Sequence, residues 1–145
     1  PIYKENENFS SGFKVFKNKS KDCIISSGVM TQNSLELVSK LKDNGLSVDV
    51  IDLFKLKPIN ESKLLKILKN YKNIFVVDEN TFSGGISSIL SEIFIKNNLM
   101  KKISFFCLKN TQDVGNYGNR LWLHKRNHLD IKYLQKQISK KIKYD

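Results

Sequence analysis

"VVDENTFSGGISSIL", residues 76–90, carries the decision about the fold. An apolar run from Ile74 to Val77 leads into Asp78 and Glu79, then a polar loop, then the pair Gly84-Gly85. Beyond the glycines, Ile86, Ile89, Leu90, Ile93 and Phe94 recur at the i, i+3, i+4, i+7, i+8 spacing of a helix with one face in a core. Strand, glycine turn, helix is the repeating unit of α/β folds, and it is also how proteins cradle phosphates. A Walker loop requires a lysine and then Ser or Thr after its second glycine, whereas Gly85 is followed by Ile86 and Ser87. The G-x-G-x-x-G dinucleotide pattern is missing as well. The stretch is therefore not a standard nucleotide cradle.

Moving outward, the same alternation of periods holds on both sides. "FKVFK" (Phe13 to Lys17) alternates apolar and polar like a half-exposed strand, and "DCIISSG" follows after a short polar turn as a buried one. So close a spacing predicts an antiparallel hairpin, because a parallel pair needs a long crossover. Residues 31–44 predict a helix with Leu35, Val38 and Leu41 inward and Asn44-Gly45 as its stop. "LSVDVIDL" is the next strand, and Asn60 caps a helix whose stripe is Leu64, Ile67, Leu68 and Tyr71. "ISFFCL" is the last strand; a polar loop follows, then a helix from about Asp130 with Ile131, Leu134, Ile138 and Ile142 inward. Buried strands alternating with amphipathic helices predict a three-layer α/β sandwich. Its five-stranded sheet is mostly parallel, with one antiparallel edge strand from the N-terminal hairpin. Residues 1–145 are expected to be a single domain, with 1–8 as the tail of a linker from a preceding domain.

Composition narrows the partners. The net charge is +11, but of 25 basic residues only Arg120 and Arg126 are arginine, the residue on which base recognition leans. Alanine is absent, and lysines are spread over every element with no single stripe, so a nucleic-acid partner is not expected. No apolar run approaches the roughly 18 residues of a membrane span, and the start does not resemble a signal peptide. Cys23 and Cys107 sit in apolar runs and are expected to be buried thiols of a cytoplasmic protein. Pro1 is not an initiator methionine, so the chain is expected to be a fragment or a trimmed product.

In such sheets ligands bind beyond the carboxyl ends of the parallel strands. The candidate anion or interdomain contacts at that edge are Ser27, Gly28, Lys57, Glu79, Gly84 and Gly85. Asp78 and Glu79 are consecutive, so on a strand they point to opposite faces and form no catalytic pair. Glu79 is the better candidate for a polar contact across an interface. His124 and His128 have the i, i+4 spacing of a zinc pair, but no neighbouring Cys or carboxylate completes a site. Neither cysteine has an activating base nearby in sequence. No catalytic, cofactor-binding or metal-binding residue is therefore assigned.

Taken in order, these motifs resemble the C-terminal domain of the transketolase family of thiamine-diphosphate enzymes. The resemblance runs through "FKVFKNKSKDCIISSG", "MTQNSLELVSKLKDNGLSVDVIDLFKLKPIN", "IFVVDENTFSGGISSILSEIF" and "YGNRLWLHKRNHLDIKYLQKQI", from about Phe9 to Ile142. Asn60 stands where the family usually has aspartate, Asn80 where it often has histidine, and Ser87 in place of a common glycine or alanine. In this family thiamine diphosphate and its metal (Mg) bind between two preceding domains. The resemblance thus implies a chain with no cofactor of its own and no catalysis alone. It implies packing against a preceding pyrimidine-binding domain or a separate N-terminal subunit, in a homodimer or heterotetramer. Gly84-Gly85 would then let a helix start tightly at a domain interface. A transketolase, a deoxyxylulose-phosphate synthase and a 2-oxo acid dehydrogenase beta subunit all fit, and the closing "GNRLWLHKRNHLD" favours the transketolase. From a different class, a free-standing anion-binding regulatory module stays open.

Overall fold

The computed structural model describes residues 2–17, 19–108 and 118–144. In chain order the elements are β1 (Lys14–Phe16), β2 (Asp22–Ser26), α1 (Val29–Asp43), β3 (Asp49–Asp52) and α2 (Glu61–Leu68). They continue with β4 (Asn73–Thr81), α3 (Ile86–Lys96), β5 (Lys102–Leu108), α4 (Arg120–Arg126) and α5 (Ile131–Lys143). The sheet has five strands in the order β1-β3-β2-β4-β5. β1 runs antiparallel to β3, and every other pairing is parallel.

The antiparallel edge strand is present, but the predicted hairpin is not. Val15 of β1 faces Ile51 of β3, and β2 lies one strand further in. All five residues of β2 are buried, and both its edges are taken by parallel neighbours, β3 and β4. The half-exposed β1 is left the outer side of β3. Burial thus decides the pairing against the short connection, since a strand with an apolar centre on both faces gains more in the middle of the sheet than beside a hairpin mate.

Side chains alternate across the sheet and make two cores. Ile25, Ile51, Ile74 and Val76 pack with Leu64 and Leu68 of α2 and with Ile86 and Leu90 of α3. Ile24, Val50, Phe75 and Val77 pack on the other face with Leu37 and Leu41 of α1 and Leu134 and Ile138 of α5. Asn60 caps α2 by accepting from the Lys63 amide at 3.2 Å, and Asp130 caps α5 by accepting from the Tyr133 amide at 3.0 Å. The tract read as a polar loop holds α4, capped by Asn119; the first part of that tract, residues 109–117, lies outside the described residues. No helix among the described residues is long and apolar enough to cross a membrane.

At the amino edge of the sheet, buried polar groups tie the strands together. Asn73 donates to Asp22 at 2.8 Å, and the Tyr71 hydroxyl donates to Asp49 at 2.7 Å. Burial, followed by this bond to Asp49, raises the Tyr71 pKa well above that of free tyrosine. The folded state then holds this proton more tightly than the unfolded chain. The associated stability is complete below the unfolded tyrosine pKa of about 10 and is lost as pH rises beyond it. Urea midpoints measured from pH 8 to 11 should therefore fall at the alkaline end, and Tyr71→Phe should flatten that fall.

Candidate functional site: the carboxyl edge of the sheet

β2, β3 and β4 all end at one edge, and their loops hold the predicted site residues. Gly28 takes φ 57° and ψ −130° at the cap of α1, a left-handed φ that favours glycine. The first turn of α1 is closed by its own backbone, Met30 N–H to the Ser27 carbonyl at 3.2 Å and Thr31 N–H to the Gly28 carbonyl at 3.1 Å. Below them lies a buried hub that the sequence did not single out. The Asp52 carboxylate accepts from the Thr31 hydroxyl at 2.7 Å and from the Tyr3 hydroxyl, and Ser26 lies 3.2 Å from Thr31. Its partners are 21 and 49 residues away along the chain, too far for a local pattern to reveal.

Tyr3 belongs to a strap. Its ring packs with Phe9 (5.1 Å), Phe54 (6.0 Å) and Phe16 (6.3 Å), and the Lys14 ammonium sits 5.1 Å from the Tyr3 ring while pairing with Glu7. Lys55 N–H donates to the Gly12 carbonyl at 3.0 Å, closing the strap on the loop after β3. Lys57, further along that loop, is exposed and precedes Pro58 through a cis peptide bond.

The β4–α3 turn explains its glycines. Asp78 is 1% exposed, and its carboxylate accepts from the Asn80 amide at 3.0 Å, the Asn80 side chain at 3.0 Å and the Ser87 amide at 3.4 Å. The α3 N-terminus, where an anion would be held in a phosphate cradle, is thus faced by the protein's own carboxylate. Gly85 has an ordinary extended backbone (φ −85°), so it is glycine for closeness. A Cβ there would collide with Asp78 Oδ2 and come within 2.7 Å of the Thr81 carbonyl. Gly84 is the opposite case, with φ +86° and open space around it.

Glu79, on the other face of β4, meets α4. Its carboxylate lies 3.3 Å from Arg120 Nε and 3.4 Å from His124 Nε2. His128 has φ 62° just past the end of α4, and its ring stacks on Tyr133 at 4.5 Å. The i, i+4 histidines therefore do not share a helix face. Both cysteines are free thiols. Burial raises the pKa of Cys23, reinforced by Asp49 and Asp22. Cys107 is only half-buried because β5 is the outer strand, and burial raises its pKa too. Neither is an activated nucleophile. Among the described residues no three His, Cys, Asp or Glu side chains could hold one metal ion. At the α3 N-terminus the Asp78 carboxylate would repel a diphosphate, so that helix start does not fit one.

A family model described as "Transketolase, C-terminal domain" matches residues 13–126. The 1-deoxy-D-xylulose-5-phosphate synthase of Fusobacterium nucleatum is 32% identical over 90% of this chain and 21% of its own length. A transketolase of Rattus norvegicus is 31% identical over 65% of this chain and 16% of its own. Among solved structures, a split-gene transketolase described as an inactive beta4 tetramer superposes with a TM-score of 0.81 at 22% identity, over 97% of this chain and 45% of that one. At that identity the likeness concerns the fold. The chain spans about a fifth of the length of the first of these curated relatives.

Proposed function

Because this chain belongs to the family of transketolase C-terminal domains, we propose that it serves a thiamine-diphosphate-dependent enzyme of cytoplasmic sugar-phosphate metabolism as a packing domain. It packs on a preceding pyrimidine-binding domain or a separate N-terminal subunit, and it supports the homodimer or heterotetramer in which the active sites form. Ser27, Gly28, Lys57, Glu79, Gly84 and Gly85 lie at the contact edge. The cofactor and its magnesium belong to the rest of the enzyme, where thiamine diphosphate supplies the carbanion chemistry. The carrying observation is the state of the carboxyl edge. Its buried carboxylates, Asp52 and Asp78, are engaged by groups of this chain and are not turned toward a substrate.

The reaction expected of the whole enzyme is transfer of a two-carbon unit to a sugar phosphate. The 32% identity over 90% of this chain favours, as a second reading, a deoxyxylulose-phosphate synthase. Antibody against this chain, used to size the native polypeptide, tests the packing role. A band about four to five times the mass of this chain is expected for a fused enzyme, and about twice for a split one. A band at the mass of this chain, with no co-purifying subunit, would sink the proposal. Analysis of the product as a ketose phosphate or a 1-deoxy ketose phosphate then separates the two enzymes.

A further inference from the structure

α4 is built against the usual rule. It buries a histidine (His124, 4% exposed) and exposes Leu121 (77%), Trp122 (40%) and Leu123 (36%). A helix of a free-standing domain points its leucines inward and its titratable groups outward. Here His124 is turned inward to Glu79, while Arg120 reaches the same carboxylate from the surface, and Leu121, Trp122 and Leu123 stay exposed. Phe82, on the loop after β4, is a further exposed aromatic at the same edge. Large apolar side chains left exposed at one edge mark an interface.

The path of the chain says which partner covers it. α4 is held at the carboxyl end of β4 through Glu79, and the strap of residues 2–9 lies across the carboxyl edge too, anchored by Tyr3 on Asp52. Residue 2 thus lies on that edge, and a domain joined to it, as the packing role proposes, is delivered there. At the amino edge, Ile95 (78%) near the end of α3 and Met100 (90%) before β5 are equally bare, but the chain does not enter on that side.

We propose that the preceding domain is seated on the carboxyl edge, with Leu121, Trp122, Leu123 and Phe82 as its apolar anchors on this side. This rests on the packing role proposed above and names the surface that performs it. Arg120, Lys125 and Arg126 border the apolar residues, so the facing surface carries carboxylates around an apolar centre.

Leu121 and Ile95 form a matched pair for the test, being 77% and 78% exposed in this domain. Leu121→Cys and Ile95→Cys are introduced separately into the whole native protein, and maleimide labelling is timed against the parent, which corrects for Cys23 and Cys107. Leu121→Cys is expected to label at least about tenfold more slowly than Ile95→Cys, because a covered site reacts only when the interface opens. Phe82→Cys is expected to follow Leu121→Cys, and Met100→Cys to follow Ile95→Cys. Equal rates in a native protein several times the mass of this chain overturn the surface and leave the packing role standing. Equal rates in a native protein of this chain's own mass overturn both.

Discussion

Gly85→Ala is expected to lower the stability of the domain by about 3 kcal/mol, on the order of 10 °C in Tm for a chain of this length. The new methyl has nowhere to go. On one side it meets the buried carboxylate of Asp78, on another the Thr81 carbonyl at 2.7 Å, and Asn80 Cβ lies at 3.1 Å. The first two are parts of the β4–α3 turn itself, so relief requires α3 to move off the sheet. Gly84→Ala is the control next door, where φ is +86° and the space is open. Only the left-handed backbone penalty applies there, about 1 kcal/mol. Chemical denaturation of the two variants checks the contrast. Equal losses would mean that the turn is tolerant and that the close approach of α3 to β4 is not what requires the glycine.

Asp78→Ala is expected to cost on the order of 3 kcal/mol, from orphaned amide donors and the loss of a negative charge at the α3 N-terminus. The carboxylate serves the buried Ser87 amide and the Asn80 amide nearer the surface, so at least the first is left without a ready replacement. Asp78→Asn keeps an acceptor and loses the charge, and should fall between Asp78→Ala and the parent. The two sites touch, so their effects should not add. With the carboxylate gone, one of the two atoms that exclude a Cβ at residue 85 is gone as well. The double variant Asp78→Ala/Gly85→Ala should then lose less than the sum of the single losses. An additive cycle would show that Asp78 and Gly85 do not act on one another.

Much of this was legible because it is local. Asn60 is recognisable as a cap from residue type and position and accepts from the amide three residues on, and the last helix starts where expected, with Asp130 as its cap. The strand–turn–helix at 76–90 declared itself through a change of period, and the absence of a Walker lysine ruled out the usual ligand. α4 was missed for a physical reason. Its apolar residues Leu121, Trp122 and Leu123 are consecutive rather than spaced three and four apart, because they do not face this domain's core. The same inversion that hid the helix points to the surface that covers it. His124 and His128 suggested a pair through spacing alone, and the end of α4 between them sends the rings to different partners.

The sequence by itself determined that this is an α/β sandwich with buried parallel strands, because hydrophobic period and helix caps are written residue by residue and need no partner far along the chain. Only the tertiary structure decided that β1 pairs with β3 and not with β2. It alone set the Asp52 hub beneath Tyr3 and turned the Asp78 carboxylate against the α3 N-terminus. Those outcomes depend on which groups compete for the centre of the sheet and for the last unpaired donors at its edge. That competition is settled by burial across distant segments, which no window of neighbouring residues contains.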